Sequence, residues 1–485
     1  MTGKSDILKS NMTLGASQVV QMGVTIIRSK IIAVFLGSTG MAVNAIFQSF
    51  LQMIYNIASC GLMQSGVREL SLASSNEQKR DEVLPQKFAI FKKLTHLAGI
   101  LGLATCVLFA TPMSYASFGN AAYTSGFIVL GIGLYFYMMT HSEMTVLQGT
   151  RSLNRLAKST IFGSLLSLVV CIPCYYYLKI NGIVISIALG YLLFWFTYRY
   201  YRRKLNIPLV WISIKKAFTE GKNIITLGIV LMIGTALVSI FTYLTNISIR
   251  TIGDLEDVGL FQGAASLVTQ SIAVVFAVLA SDFFPRLSAI TENLSEKNSL
   301  INRQLSIIIA IIPAIIVFII CCPKFLIKLL LSSEFLVITP LLQYMAMSLI
   351  FRGIWITMSY IILAHGDRKR YLIFDAIIGN GLNYLINIIA YAIGGLQFLG
   401  ISYLVSSIFI SVILFIVAIK YYQYRIDRQT LQQFVFVVLL LSLTYFATHL
   451  GTTPCLFCGA ATIAYCLYNL FSGNSIIKLK KDRIQ

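Results

Sequence analysis

The chain has 485 residues, 57% of them hydrophobic and only 12% charged, with 38 Lys and Arg against 18 Asp and Glu. That balance excludes an ordinary soluble globular protein. The net charge of +20 would suit a nucleic-acid binder, but the cations flank apolar stretches instead of forming one patch, so no nucleic-acid partner is expected.

About 20 apolar residues cross a hydrocarbon core of roughly 30 Å. By that measure the sequence predicts fourteen spans, at 14–36, 42–66, 89–114, 121–148, 159–178, 182–198, 223–249, 258–282, 304–330, 337–363, 372–394, 397–419, 431–450 and 455–472. The first carries Gln18, Gln21, Thr25 and Arg28 at steps of three and four, one face of a helix. The second repeats the pattern with Asn44, Gln48, Gln52, Asn56 and Ser59. The fourth holds Glu143, two residues after His141, and a basic loop at 199–222 follows the sixth. Thr235, Ser239, Thr242 and Asn246 stripe the seventh span, and Gln262, Ser266 and Gln270 the eighth. Arg352 lies well inside the tenth, and Asn380, Asn383, Asn387 and Tyr391 stripe the eleventh. Segments 67–88 and 283–303 read as short interfacial helices with charged faces.

With the amino terminus inside, the cytoplasmic segments collect 31 of the 38 Lys and Arg, as the positive-inside rule expects. Lys179 and Arg250 are the cations of the opposite side. Both termini are therefore expected in the cytoplasm, and the basic charge reads as topology with some attraction to anionic headgroups of membrane lipids. The polar first residues, followed by a long apolar span, argue against a cleaved signal region.

An internal repeat organises the spans. Leu36-Gly37 corresponds to Ile252-Gly253, Gly149-Thr150-Arg151 to Gly366-Asp367-Arg368, Gly163 to Gly379, and Gly182-Ile183 to Gly400-Ile401, at nearly constant offset. Six spans precede each equivalent point, so the copies share one orientation. The expected fold class is an all-α integral membrane protein of about 14 transmembrane helices, built as two parallel-repeat six-helix lobes plus two extra carboxy-terminal helices. The expected division is 1–200 for the first lobe, 201–222 for a basic inter-lobe loop, 223–420 for the second lobe, and 421–485 for the added helices and basic tail.

Polar groups within a bilayer are costly unless they face protein or water. Stripes recurring in equivalent spans of both halves are expected to line a shared hydrated cavity, against the alternative that they bind helices together. Arg28 and Arg352, each costing roughly 2.5–3.5 kcal/mol if left facing lipid, are expected in that cavity and would favour an anionic ligand. Three readings stay open for Glu143: a proton or sodium coupling site, a salt-bridge partner of a cavity arginine, or a solvated residue at the inner mouth. Nine cysteines all lie in or at the ends of apolar stretches, including Cys171-Ile-Pro-Cys174 and Cys455-Leu-Phe-Cys458. We read them as helix-packing residues, with no metal site, cofactor or catalytic residue expected and hence no enzyme.

Arg28 followed by Phe35-Leu36-Gly37 and Gly40, then Gly61-Leu62 and Gly66-Val67-Arg68, then Gln148-Gly149-x-Arg151 with its copy His365-Gly366-x-Arg368, give the chain a family likeness over roughly residues 10 to 420. It resembles the polysaccharide-transporter branch of the multidrug/oligosaccharidyl-lipid/polysaccharide (MOP) exporter superfamily, the Wzx-type O-antigen flippases. The resemblance implies two lobes in a MATE-like V, a cationic central cavity and alternating access. It also implies an undecaprenyl-pyrophosphate-linked oligosaccharide moved across the bacterial inner membrane, with a proton or sodium ion as candidate coupling ion and polysaccharide assembly machinery as a candidate partner. Within it, Arg28 and Arg352 are expected to meet pyrophosphate, since arginine's planar fork suits phosphate oxygens. Gln18, Gln21, Gln48, Gln52 and Asn56 are expected to meet sugar hydroxyls. A lipid II flippase and a MATE-type multidrug/cation antiporter are the rival cargo classes.

Overall fold

A computed structural model describes residues 4–75, 80–208, 210–278, 282–290 and 293–472. Within hydrocarbon a backbone must satisfy its own hydrogen bonds, and the helix does so within one segment. The described residues are accordingly helical almost throughout. In chain order the helices are α1 (Lys4–Phe35), α2 (Gly37–Ala58), α3 (Leu62–Ser75), α4 (Arg80–Leu108), α5 (Ala110–Phe118), α6 (Thr124–Gly149), α7 (Leu153–Leu178), α8 (Asn181–Arg203), α9 (Ile214–Glu220) and α10 (Lys222–Ile252). They continue as α11 (Leu255–Val278), α12 (Phe284–Ala289), α13 (Leu294–Cys321), α14 (Pro323–Leu330), α15 (Thr339–Ala364), α16 (Arg368–Arg370), α17 (Asn380–Tyr422), α18 (Arg428–Leu450) and α19 (Thr452–Ser472). A 3-10 turn at Ser333–Ile338 precedes α15, and a π-helical segment at Tyr371–Gly379 leads into α17.

Among the described residues, ten helical stretches are long and apolar enough to cross a membrane. One of them, Arg368–Tyr422, breaks at Gly394 and Gly395 into two helices, where the sequence places the turn between spans eleven and twelve. Helices α2, α6 and α11 occupy the places of spans two, four and eight, and α2 and α6 fall short of that apolarity. The first two carry the polar side chains that make the site described below.

The chain packs as two compact units, Met1–Gly259 and Leu260–Gln485. In the first, α1 lies on α7, α6 on α4 and α8, α7 on α8, and α10 along α2 and α3. Packing thus gathers α10, the opening helix of the second sequence copy, with the first. In the second unit α15 lies against α17, while α18 and α19 both pack on α13. The segment that leads into α18 is fixed on α13 by hydrogen bonds, with Asn302 Nδ2 donating to Arg425 O at 2.9 Å and Tyr424 OH donating to Asn302 Oδ1 at 2.6 Å.

Span two is shorter than the sequence suggests. Helix α2 ends at Ala58, and the chain turns through Cys60 and Gly61, both with positive φ (46° and 64°). The expected interfacial helix at 67–88 is replaced by α3, beginning at Leu62, and by α4, already helical at Arg80. Gly61 allows the turn to press on α10, because a Cβ there would collide with the carbonyl of Gly228. Gly61→Ala is therefore expected to lose on the order of 3 kcal/mol through overpacking and backbone strain, seen as a fall in the melting temperature of the purified protein.

The repeat is real in backbone detail, but in one place its register differs from the sequence match. Helix α6 ends with Arg151 N–H bonded to Gln148 O and Ser152 N–H to Leu147 O; α15 ends with Gly366 N–H bonded to Leu363 O and Asp367 N–H to Ile362 O. Both are Schellman turns. They superpose Arg151 on Gly366, an offset of 215, so the alignment of Gly149 with Gly366 is corrected by two residues. At Gly163 the offset is 216: Gly163 packs against Phe194 and Gly379 against Ile410, each pair at equivalent positions. Arg151 holds φ 53° where the second copy has Gly366 at φ 70°. A left-handed conformation costs a non-glycine residue about 1–2 kcal/mol. Arg151→Gly is expected to raise stability by about 1 kcal/mol, measurable as a higher melting temperature.

Candidate functional site

The polar faces of α1 and α2 meet the inner faces of α6, α7, α8 and α10 around two adjoining cavities in the first unit. The first, of about 540 Å³, is lined by Gln18, Gln21, Thr25 and Arg28 of α1, Asn44 and Gln48 of α2, and residues of α6, α7 and α8. The second, of about 550 Å³, is lined by Gln52 and Asn56 of α2, with Thr235, Ser239 and Thr242 of α10. Tyr137, His141, Met144 and Gln148 of α6 border both. The expected residues of α1 and α2 are thus brought together by the structure.

Arg28 is the charged residue of this site. Its Nε donates to Tyr175 OH at 2.9 Å and its Nη2 to Ser186 Oγ at 3.3 Å, while Ser186 Oγ donates to the same phenol at 3.0 Å. Tyr175 and Ser186 are each only 1% exposed, so the back of the guanidinium is held by a rigid, neutral platform. No carboxylate among the described residues pairs with Arg28, and no Asp or Glu lines either cavity. A guanidinium has five N–H donors, and those left over face the first cavity. Chemically, an intramembrane guanidinium held this way can accept an anion.

The amides are also fixed. Tyr191 OH donates to Gln48 Oε1 at 3.3 Å and Tyr137 OH to Gln52 Oε1 at 3.0 Å. Asn56 Nδ2 donates to Ser239 Oγ at 3.1 Å and Thr235 O at 3.3 Å. With its oxygen taken by a phenol, Gln48 keeps its NH₂ group for a ligand, while the Gln52 NH₂ also donates to Asn56 Oδ1 at 3.5 Å and keeps one N–H. Tyr137 lies at the centre of an aromatic cluster, with ring centroids 4.6 Å from Tyr55, 4.5 Å from His141 and 4.4 Å from Tyr191. Such a wall offers flat apolar faces beside polar tips.

Two expected residues lie elsewhere. Glu143 lines neither cavity; it is buried against Arg202, with Oε2 2.6 Å from Arg202 Nε, both side chains 5% exposed. The reading of Glu143 as a solvated inner-mouth residue is thereby overturned, and Arg202, which falls within the expected basic loop at 199–222, belongs instead to the last turn of α8. The partner of Glu143 is neither Arg28 nor Arg352. Arg352 belongs to α15 in the second unit and lines neither cavity of the first. The α17 stripe also departs from expectation: Asn387 Nδ2 donates to Asn383 Oδ1, and Ser402 and Ser406 donate to Asn387 and Asn383 at 2.8 Å each. Those amides bind two helices together across the Gly394–Gly395 break.

The sequence pattern that defines the polysaccharide biosynthesis protein family matches residues 47–340, more than half of the chain. The chain belongs to that family. Lipid III flippases of Escherichia coli (strain K12) and Shigella flexneri are each 20% identical to this polysaccharide biosynthesis family member over 377 residues, covering 76% of this chain and 88% of theirs. Among solved structures, the inward closed lipid II flippase MurJ matches with a TM-score of 0.70 at 13% identity, over 99% of this chain and 100% of that one. An inward-facing multidrug resistance MATE transporter of the MOP superfamily matches with a TM-score of 0.69 at 16% identity, over 82% and 93%. The fold is therefore that of the MOP exporters, and with its ten described stretches long and apolar enough to cross a membrane this family member is a multi-pass membrane protein. Its relatives are transporters, not catalysts.

Proposed function

We propose that this protein flips an undecaprenyl-pyrophosphate-linked oligosaccharide, an O-antigen or other surface polysaccharide repeat unit, across the bacterial inner membrane by alternating access. The observation that carries this reading is Arg28: a membrane-embedded guanidinium with neutral partners, in a cavity lined by amides, hydroxyls and phenols and by no acid. Pyrophosphate supplies the missing anion, and Gln18, Gln21, Gln48, Gln52 and Asn56 suit sugar hydroxyls. The aromatic faces of Tyr137 and Tyr191 suit the C–H faces of sugar rings. The lipid III flippase relatives and the lipid II flippase neighbour support a lipid-linked cargo. A cationic drug, by contrast, would meet Arg28 and find no carboxylate. In this proposal Arg352 serves the cargo from the second half, and both termini face the cytoplasm, where the basic loops lie.

Ligand-induced stabilisation separates the cargo classes, because a ligand that binds the folded state raises its stability. Undecaprenyl-pyrophosphate oligosaccharide is expected to raise the melting temperature of the detergent-purified protein, and the same lipid with a monophosphate to raise it much less. Stabilisation by organic cations without response to the pyrophosphate lipid would replace this proposal with drug export. Response to lipid II alone would assign the sugar differently.

A further inference from the structure

The cysteines at one end of the second unit are placed for chemistry that the transport site does not use. Cys321 closes α13, one residue before the break at Cys322 and Pro323, and Cys455 lies in the first turn of α19. Their sulfurs are 3.1 Å apart although 134 residues separate them in sequence. Cys321 Sγ also lies 3.5 Å from the Cys455 carbonyl. The close approach is built in: Gly459, one turn along α19, has no side chain, and a Cβ there would come within 3.0 Å of Cys321 Sγ. Cys171 and Cys174 of the other CxxC share a single helix, and Cys171 donates to the Leu168 carbonyl of its own helix at 3.1 Å. Only the carboxy-terminal pair faces a cysteine on another element in this way among the described residues.

We propose that Cys321 and Cys455 form a disulfide that ties the end of α13 to the start of α19. Sulfur separation must fall to about 2.05 Å, a small rotation for a residue that ends a helix. The bond requires an oxidant, which we assign to the class of protein disulfides that act by thiol–disulfide exchange. The Cys321 thiolate attacks one donor sulfur, and the other donor sulfur leaves as a thiolate. The Cys455 thiolate then attacks Cys321 Sγ in the mixed disulfide and expels the donor sulfur bonded to it, as the donor's second thiolate. Two electrons pass to the donor, and the two protons of Cys321 and Cys455 pass to its thiolates. The positive-inside orientation places the outer ends of spans nine, thirteen and fourteen here, on the oxidising side where disulfides persist. Cys322 and Cys458 neighbour the pair in sequence and are not its partners.

The test uses the full chain in intact cells, alkylated with N-ethylmaleimide at lysis and digested without reductant for mass spectrometry. A peptide pair joined through residues 321 and 455 is expected, lost in Cys455→Ala and retained in Cys322→Ala and Cys458→Ala. Alkylation of both cysteines even after oxidised glutathione is added to the cells and to inside-out vesicles overturns the proposal, as does a bond joining 322 to 458. A 321–455 bond that forms only in the inside-out vesicles supports the pairing and reverses the orientation. Should Cys455→Ala fail to accumulate, the wild-type peptide map alone decides.

Discussion

Replacing Arg28 with alanine is expected to abolish lipid-linked saccharide transport while the protein remains in the membrane at its normal level. The two halves of that expectation have one cause. Arg28 has no acidic partner among the described residues, so its removal strands no opposite charge and relieves the cost of keeping a cation in a low-dielectric site. The same removal leaves a pyrophosphate with no fixed positive charge in the first unit's cavity. Hydrogen bonds to charged groups contribute about 1.5–3 kcal/mol each; losing two weakens binding by roughly 100-fold or more. Arg28→Lys is expected to recover part of this, because lysine brings charge without the planar fork. Tyr175→Phe is expected to fall between the two, since the phenol that accepts from Nε at 2.9 Å sets the direction of the guanidinium. Dose-dependent transport in proteoliposomes, normalised to inserted protein, ranks the three variants.

Glu143 is expected to behave in the opposite manner. Glu143→Ala leaves Arg202 buried without its carboxylate, and breaking one side of a buried pair costs on the order of 3–5 kcal/mol. The Phe88 ring, 5.1 Å from the Arg202 guanidinium, is a weak substitute. Low abundance and a lower melting temperature are the expected result. Replacing both residues with methionine removes both charges, and such swaps are often neutral in stability. The double variant is therefore expected to accumulate and to transport. A double variant that is stable but inactive would contradict the structural role and return Glu143 to the coupling machinery.

Much of this architecture was legible because hydrocarbon imposes a length on each helix and punishes polar side chains that face lipid. The stripes of α1 and α2 are read correctly for that reason: Gln18, Gln21 and Arg28, and Gln48, Gln52 and Asn56, each repeat at helical spacing, and each lines a cavity. The α6 face was missed although its spacing is as good. Tyr137, His141, Met144 and Gln148 follow steps of four, three and four, but Tyr137 and Met144 pass for ordinary membrane-core residues and leave only two polar positions in the stripe. Arg202 falls within the expected loop at 199–222 because a cation in a run of cations reads as loop, and only the fold shows Glu143 two helices away. The end of α2 was hidden because Gly61-Leu62-Met63 continues an apolar run; the turn is set by contact with Gly228, far along the chain. The amides of α17 follow the same periodicity as those of α2, and sequence alone does not separate an amide that binds a helix from one that lines a cavity.

Complementation of a bacterial strain lacking its own lipid-linked saccharide flippase tests the central claim most directly, with wild type and Arg28→Ala compared at equal membrane abundance. The account predicts that wild type restores surface polysaccharide and that Arg28→Ala does not. Restoration by Arg28→Ala to the wild-type level would contradict it.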